Sequence, residues 1–155
     1  MFNLPVPAGF NDSELDYLVE TVIGPVSRDA DAIIFCCGAD ALAGDPLSRM
    51  MLSNVALWRA VKSLSEAPRP TVILGGGGYN PWTVARYWAG LWATIHGDDI
   101  PALLPAAATD YLGELECDLV DDEDVDKAWT TTMADTPYPG PVRNAVRSIA
   151  ETVMR

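Results

Sequence analysis

Cysteines, basic residues and long apolar runs are all scarce in this sequence of 155 residues. Three cysteines at irregular spacing, Cys36, Cys37 and Cys117, argue against a disulfide framework and against a cysteine-based zinc site. Lys and Arg number 10 against 22 Asp and Glu, a net charge of −12. Nucleic acid is therefore excluded as the expected partner, because phosphate binding needs clustered cations. No apolar run has the length of a membrane span; residues 81–95 come nearest, and Arg86 interrupts them.

A targeting segment is also lacking. The first residues carry neither the basic nor the apolar region of a signal peptide. We therefore expect a cytoplasmic protein with reduced cysteines and no membrane association. The acidic charge is compatible with a cationic substrate, although such charge more often serves solubility.

Two apolar runs without polar alternation, 32–37 and 71–74, are each followed directly by glycine. Such runs are typical of strands buried on both faces of a parallel sheet. Helical signals surround the runs. They predict a helix from the capping box of Asn11 and Glu14 to about residue 28 and a second helix over 47–65. With a third helix after residue 80, the order helix, strand, helix, strand, helix predicts an α/β fold with parallel crossovers.

The third helix has clear boundary signals. Asn80 is its cap, Pro81 takes its first position and Gly97 ends it. Beyond it the composition changes, so we expect two parts, an α/β region over 1–96 and an extension over 97–155. The extension is expected to hold a short amphipathic helix within 101–112, an acidic run over 118–126 and a last helix over 141–154.

Residues able to carry chemistry follow both predicted strands. Asp40 and Asp45 come after the first strand, and Tyr79 follows a run of four glycines after the second. Because sites in parallel sheets form beyond the carboxyl ends of the strands, we expect the two segments to lie near each other.

Taken singly, each of these residues has more than one interpretation. Asp40 can bind a metal or cap a turn, and Asp45 before Pro46 is expected to cap the second helix. The glycines allow positive φ and close approach of a ligand, as in a cofactor-binding loop. No nucleotide-binding motif accompanies them. Tyr79 can be a buried ring or a hydroxyl donor.

Together the two segments resemble the signatures of class I histone deacetylases and bacterial acetoin-utilisation proteins. The residues concerned are Gly38-Ala39-Asp40 through Gly44-Asp45-Pro46-Leu47, Leu74 through Asn80, and Val84 through Trp88. The resemblance is strong over 2–96 and weaker to the end of the chain. It implies an arginase-like or deacetylase-like α/β fold with a parallel sheet and flanking helices, of which this chain is the C-terminal part. It also implies zinc-dependent hydrolysis of an acetyl-lysine-like or acetylpolyamine-like amide.

The resemblance also implies a role for each matching residue. Asp40 corresponds to a zinc ligand, and Tyr79 corresponds to the donor that hydrogen-bonds the substrate carbonyl and stabilises the oxyanion. Leu47, Gly77 and Gly78 correspond to the lining of a narrow acyl channel. The chemistry fits, because a phenol holds its proton at neutral pH and can donate it.

The family's remaining site residues have no counterpart in this sequence. Its Asp-x-His zinc motif and its pair of adjacent histidines are absent, and the single histidine, His96, is expected to be a helix-end residue. A catalytic zinc site ordinarily has three protein ligands. We therefore expect a split gene product, a truncated gene prediction, or a subunit that needs a complementary N-terminal half.

Two alternative functions remain at this point. One is a non-catalytic domain that retains the fold and binds a partner chain. The other, least favoured, is a nucleotide-binding domain that uses the glycine loop, which leaves Tyr79 and the Gly-Ala-Asp motif unexplained. For the leading hypothesis, half a sheet exposes an edge and an apolar face, so we expect the isolated chain to self-associate.

Overall fold

The computed structural model describes residues 3–155. Two parallel strands lie among seven α-helices. In chain order these are α1 (Asp12–Leu18), α2 (Gly24–Ser27), β1 (Ile33–Cys36), α3 (Asn54–Ser65), β2 (Thr71–Leu74), α4 (Pro81–His96), α5 (Ala106–Gly113), α6 (Lys127–Thr131) and α7 (Asn144–Val153). The predicted α/β class and both strands are confirmed.

The sheet has one buried and one bare face. Strands β1 and β2 pair in parallel, from Ile33 opposite Thr71 to Cys36 opposite Leu74. Phe35 and Ile73 point toward the core. On the other face Ile34 is 69% exposed, and Val72 and Leu74 are each 49% exposed. The expectation that the strands are buried on both faces is therefore wrong for the residues described, since helices α3 and α4 cover one side only.

The first helical region begins as the sequence predicts. The Asn11 side chain accepts from the Glu14 amide while the Glu14 side chain accepts from the Asn11 amide, which completes the capping box. A π-helical stretch, Val19–Ile23, joins α1 to α2, and Pro25 is the second residue of α2. Such a stretch relieves the clash that a proline ring makes with the preceding turn, so the helix continues to Ser27.

Helix α3 begins later than the sequence predicts. Ser53 is its cap, with its hydroxyl accepting from the Ala56 amide at 3.1 Å. The predicted start near residue 47 is wrong because the preceding backbone pairs elsewhere. The amide of Leu52 donates to the Ala41 carbonyl, and the amide of Ala43 donates to the Leu52 carbonyl.

Helix α4 has the boundaries that its sequence signals predict. The Asn80 side chain accepts from the amides of Trp82 and Thr83, and Gly97 ends the helix at φ 76°. Its burial is one-sided, since Trp92 on its outer face is 66% exposed. The inner face packs on α3 and the sheet.

Residues beyond 97 pack back onto the first part of the chain. Asp135 and Asn54 exchange hydrogen bonds of 2.9 Å, from the Asn54 amide to the carboxylate and from the Asp135 amide to the Asn54 side chain. Arg143 forms an ion pair with Glu14 at 2.7 Å. Helix α7 covers an apolar cluster that includes Leu18, and Val146 within that cluster is fully buried.

Across residues 3–155 no helix combines the length and the apolar character needed to cross a bilayer.

Candidate functional site

The two segments that follow the strands lie against each other. The Ala39 amide donates to the Gly77 carbonyl at 2.7 Å, and the Cys37 amide donates to the Leu74 carbonyl at 2.9 Å. The parallel register extends past the strand ends, so the Gly-Ala-Asp loop and the glycine loop form one surface. The expected proximity of these loops is confirmed.

Asp40 lies on this surface in a notch formed by two glycines. A Cβ atom added to either Gly38 or Gly77 would overlap the Asp40 carboxylate. Its side chain is half-buried and forms no hydrogen bond within residues 3–155. The two glycines therefore leave the space that the Asp40 carboxylate occupies.

Tyr79 stands at the end of the glycine loop with 44% of its surface exposed. Gly78 precedes it at φ 141°, and a Cβ atom there would overlap the side chains of Ala39 and Val84. Glycine is required at this position by both the backbone angle and the lack of space. Of the two interpretations left open, the structure rules out a buried ring, because the Tyr79 residue is exposed.

Asp45 has a different position from the one expected. It does not cap α3, which starts nine residues later, at Asn54, with Ser53 as its cap. Instead Asp45 is buried, with 5% of the residue exposed. One oxygen accepts from the Leu47 amide at 2.9 Å and the other from the Tyr79 amide at 2.8 Å. Sequence reasoning missed this bridge because Asp before Pro is also a good helix cap.

Asn80 adds a second link between the loops. Besides capping α4, its side-chain amide donates to the Gly44 carbonyl at 2.9 Å, and the residue is fully buried. Gly44 adopts φ 88°, and the Trp129 ring of α6 occupies the place where a Cβ would be. The extension thus braces the loop that carries Asp40 and Asp45.

The predicted channel residues lie beside this surface. Leu47 is 64% exposed, and Gly77 and Gly78 contribute backbone next to Asp40 and Tyr79. Leu47 and the glycine loop are joined through Asp45.

Below the loops the core is apolar. Burial is the main cause that raises the pKa of the Cys37 thiol, and it also raises the pKa of the Tyr87 phenol well above its usual range. Both groups are therefore neutral at physiological pH. A thiol in such surroundings is structural rather than reactive.

The ligating side chains that the described residues bring together are too few for a zinc ion. Within residues 3–155, no cluster brings together three His, Cys, Asp or Glu side chains that could hold a metal. Asp40 is suited to be one ligand, but three are needed. His96 ends α4, its ring stacks on Trp92 at 4.1 Å and its Nδ1 lies 2.9 Å from the Trp92 carbonyl. The prediction of a helix-end histidine is confirmed.

Comparison with known sequences gives a consistent set of matches. A sequence model described as the histone deacetylase domain matches residues 1–95. Histone deacetylase 8 of Xenopus laevis is 31% identical over 105 residues, which are 66% of this chain and 32% of that protein. Histone deacetylase 9 of Arabidopsis thaliana is 33% identical over 112 residues, 71% of this chain and 26% of that protein.

Solved structures extend the similarity over nearly the whole chain. The crystal structure of an HDAC homolog from Aquifex aeolicus is similar with a TM-score of 0.88 and 30% identity, covering 99% of this chain and 42% of that one. The same values hold for an HDAC homolog complexed with SAHA. The chain thus spans less than half the length of each of these proteins.

Proposed function

The chain belongs to the histone deacetylase family, and from this premise we propose that it is the part of a zinc-dependent amidohydrolase that carries the oxyanion donor and one metal ligand. Tyr79 is the proposed donor and Asp40 the proposed ligand. The observation that carries the proposal is the contact between their two loops at the carboxyl ends of neighbouring strands. Both groups would act on the same carbonyl oxygen of the amide, the metal by polarising it and the phenol by donating a hydrogen bond.

The exposed Tyr79 hydroxyl is proposed to donate a hydrogen bond to the carbonyl oxygen of the substrate. A donor fixed before reaction stabilises the negative charge that develops on that oxygen, and it needs no reorganisation in the transition state. Leu47, Gly77 and Gly78 are proposed to line one side of the acyl channel. The backbone of the glycines permits close approach of a narrow acyl chain.

A complementary N-terminal half is proposed as the partner that supplies the remaining metal ligands and the acid–base groups. The bare sheet face, with Ile34, Val72 and Leu74, supports this proposal because it is an apolar surface of the kind that a further layer covers. This chain covers 42% of the solved HDAC homolog from Aquifex aeolicus, so more than half of that protein has no counterpart here. Isolated, the chain is expected to have no deacetylase activity.

The proposed substrate is an acylated amide, acetyl-lysine-like or acetylpolyamine-like. Its support is the family membership and the similarity to an HDAC homolog complexed with SAHA. The net charge of −12 favours a cationic substrate by electrostatic steering. A cytoplasmic location and the absence of nucleic-acid partners remain proposals as well.

The test is reconstitution with a separately expressed N-terminal half of the Aquifex aeolicus homolog, in the presence of zinc. Hydrolysis of a fluorogenic acetyl-lysine amide is expected only in the mixture. Tyr79→Phe removes one oxyanion donor and is expected to lower kcat by about 10²–10³-fold. Asp40→Ala is expected to abolish both activity and zinc retention.

Tyr111→Phe is the matched control, because Tyr111 lies on α5, outside the two loops, and is 67% exposed. It is expected to leave activity unchanged. A mixture in which Tyr79→Phe is as active as the wild type contradicts the proposal. A stable complex without activity favours the second candidate, a non-catalytic partner-binding domain, which the incomplete donor set among the described residues also supports.

A further inference from the structure

We propose that Asp45 is a positioning residue that fixes Tyr79 relative to the acyl channel. This inference rests on the role proposed above for Tyr79. Asp45 is not itself proposed to contact the substrate. Its carboxylate instead accepts hydrogen bonds from the backbone amides of Leu47, a proposed channel residue, and of Tyr79, the proposed donor. Its effect on the reaction is therefore exerted through Tyr79.

The geometry of the bridge is specific to a carboxylate. The two oxygens of Asp45 each accept from one amide, that of Leu47 at 2.9 Å and that of Tyr79 at 2.8 Å. A carboxylate offers only acceptors, whereas an asparagine in the same place turns an NH₂ group toward one of the two amides. The lengths are those of charge-assisted bonds, which are stronger than neutral ones.

The backbone amides of Leu47 and Tyr79 are the main groups that stabilise the negative charge of Asp45. Asp45 is 5% exposed, and within residues 3–155 it has no ion pair with Lys or Arg. Burial of a charge without such hydrogen bonds is costly, so the carboxylate holds both amides close. The neighbouring bond from Asn80 to the Gly44 carbonyl adds to the same link between the loops.

Tyr79 depends on this backbone contact for its position. Its side chain is 44% exposed, and its hydroxyl forms no hydrogen bond with the described residues. The preceding Gly78 gives the loop little stiffness of its own. Displacement of a catalytic group by about 1 Å can lower turnover by about 10²-fold. The hydrogen bond from the Tyr79 backbone amide to Asp45 thus fixes the backbone from which the hydroxyl extends.

The first test uses the chain alone and measures hydrogen exchange of single amides by NMR. Asp45→Asn is expected to speed exchange of the Tyr79 amide at least tenfold while the Ala39 amide, bonded to Gly77, keeps its protection. Asp40→Asn is the matched control, a carboxylate in the same loop with no bond to Tyr79, and it is expected to leave the Tyr79 amide unchanged. Unchanged Tyr79 exchange in Asp45→Asn overturns the inference.

The second test uses the reconstituted enzyme and a double-mutant cycle. Asp45→Asn is expected to lower kcat by about 10–10²-fold with little change in KM. In a Tyr79→Phe background the same substitution is expected to lower kcat no further, because its effect passes through the lost hydroxyl. If the double mutant instead loses kcat by the product of the two single-mutant factors, Asp45 acts independently of Tyr79, and the inference is wrong.

Asp45→Glu keeps both carboxylate oxygens and serves as the second variant if Asp45→Asn fails to fold. It is expected to keep the Tyr79 amide protected and to recover part of the kcat lost in Asp45→Asn. A kcat loss that persists in full in the Tyr79→Phe background overturns the inference here too. If the wild-type mixture is inactive, the proposed function fails, while the exchange measurement still decides whether Asp45 fixes Tyr79.

Discussion

At the scale of single residues, Gly90 shows packing outweighing helix propensity. It lies inside α4, where alanine would ordinarily be favoured by about 1 kcal/mol. A Cβ atom there would overlap the ring of Trp58, which is 3% exposed and donates to the Tyr87 carbonyl at 2.8 Å. Overpacking costs about 1–3 kcal/mol, which exceeds or offsets the gain in helix propensity. Gly90→Ala is therefore expected to lower the free energy of unfolding by up to about 2 kcal/mol, measured by urea denaturation.

Gly113→Ala is the control for that measurement. Gly113 is the last residue of α5, and an added Cβ meets no atom within 4 Å. Unfolding free energy is expected to stay constant or to rise by less than about 1 kcal/mol. Equal effects of the two substitutions would show that Trp58 does not restrict Gly90.

Glu14 gives a prediction about pH. Hydrogen bonds from the Arg143 guanidinium hold the pKa of the buried Glu14 carboxyl below its usual range. The stability from this pair is fully present above the unfolded pKa of about 4.3, and it is lost as pH falls through the lower folded pKa. Glu14→Gln is expected to lower the urea midpoint at pH 7 and to flatten its decline below about pH 5.

The control for this prediction is the pair of Asp16 and Arg59. Its side chains are 50% and 52% exposed, although the distance is the same 2.7 Å. Exposed pairs contribute little because water screens them and the side chains lose entropy. Asp16→Asn is expected to shift the midpoint several times less than Glu14→Gln, and comparable shifts would contradict the importance of burial.

The role of a residue was predictable from the sequence where its partners are near neighbours along the chain. The Asn11 capping box and the Asn80 cap use neighbours along the chain, and both are confirmed. Asp45 was misplaced because its two partners include the distant Tyr79 amide. The packing of Trp129 on Gly44 carries no local signal at all, so only the tertiary structure reveals it. The catalytic roles of Asp40 and Tyr79 stay predictions.

At the scale of elements, the bare sheet face leads to a prediction about association. Ile34 and Val72 lie side by side on β1 and β2 with 69% and 49% exposure. Changing both to lysine is expected to alter stability by less than about 0.5 kcal/mol each. The changes are also expected to reduce self-association, measured by light scattering over a range of concentrations, because charge blocks edge and face contacts.

Ile73→Lys provides the comparison on the opposite face. Ile73 packs against the main apolar cluster between the sheet, α3 and α4. A lysine there is expected to unfold the chain rather than to make it more soluble, since an unpaired charge enters the core. A wild-type chain that stays monomeric at every concentration would contradict the expectation of self-association.

Element boundaries were predictable where a cap and a stop signal agree. Helix α4 has both, in Asn80 and Gly97, whereas α3 has an apolar pattern that continues upstream into backbone paired with the 41–43 loop. Periodicity reports which side chains are apolar and says nothing of where their amides bond. The two-sided burial predicted for the strands failed because a continuous apolar run does not specify which faces of the sheet other elements cover.

At the scale of the whole molecule, the two parts expected on either side of residue 96 are joined by buried polar contacts. Arg86 is 1% exposed, and its guanidinium pairs with Asp135 at 2.6 Å and donates to the Thr132 carbonyl. Asp12 accepts a hydrogen bond from the Tyr138 amide. These links join residues far apart in sequence, and no composition or period in the sequence could reveal them.

The link between Glu14 and Arg143 also has a consequence in time. The two residues are 129 positions apart, and ribosomes add about 5–20 residues per second. For roughly 6–26 s after α1 has been synthesised, Glu14 has no arginine beside it and Leu18 has no α7 to cover it. During translation the first helix is therefore a target for chaperones, until the last helix reaches it.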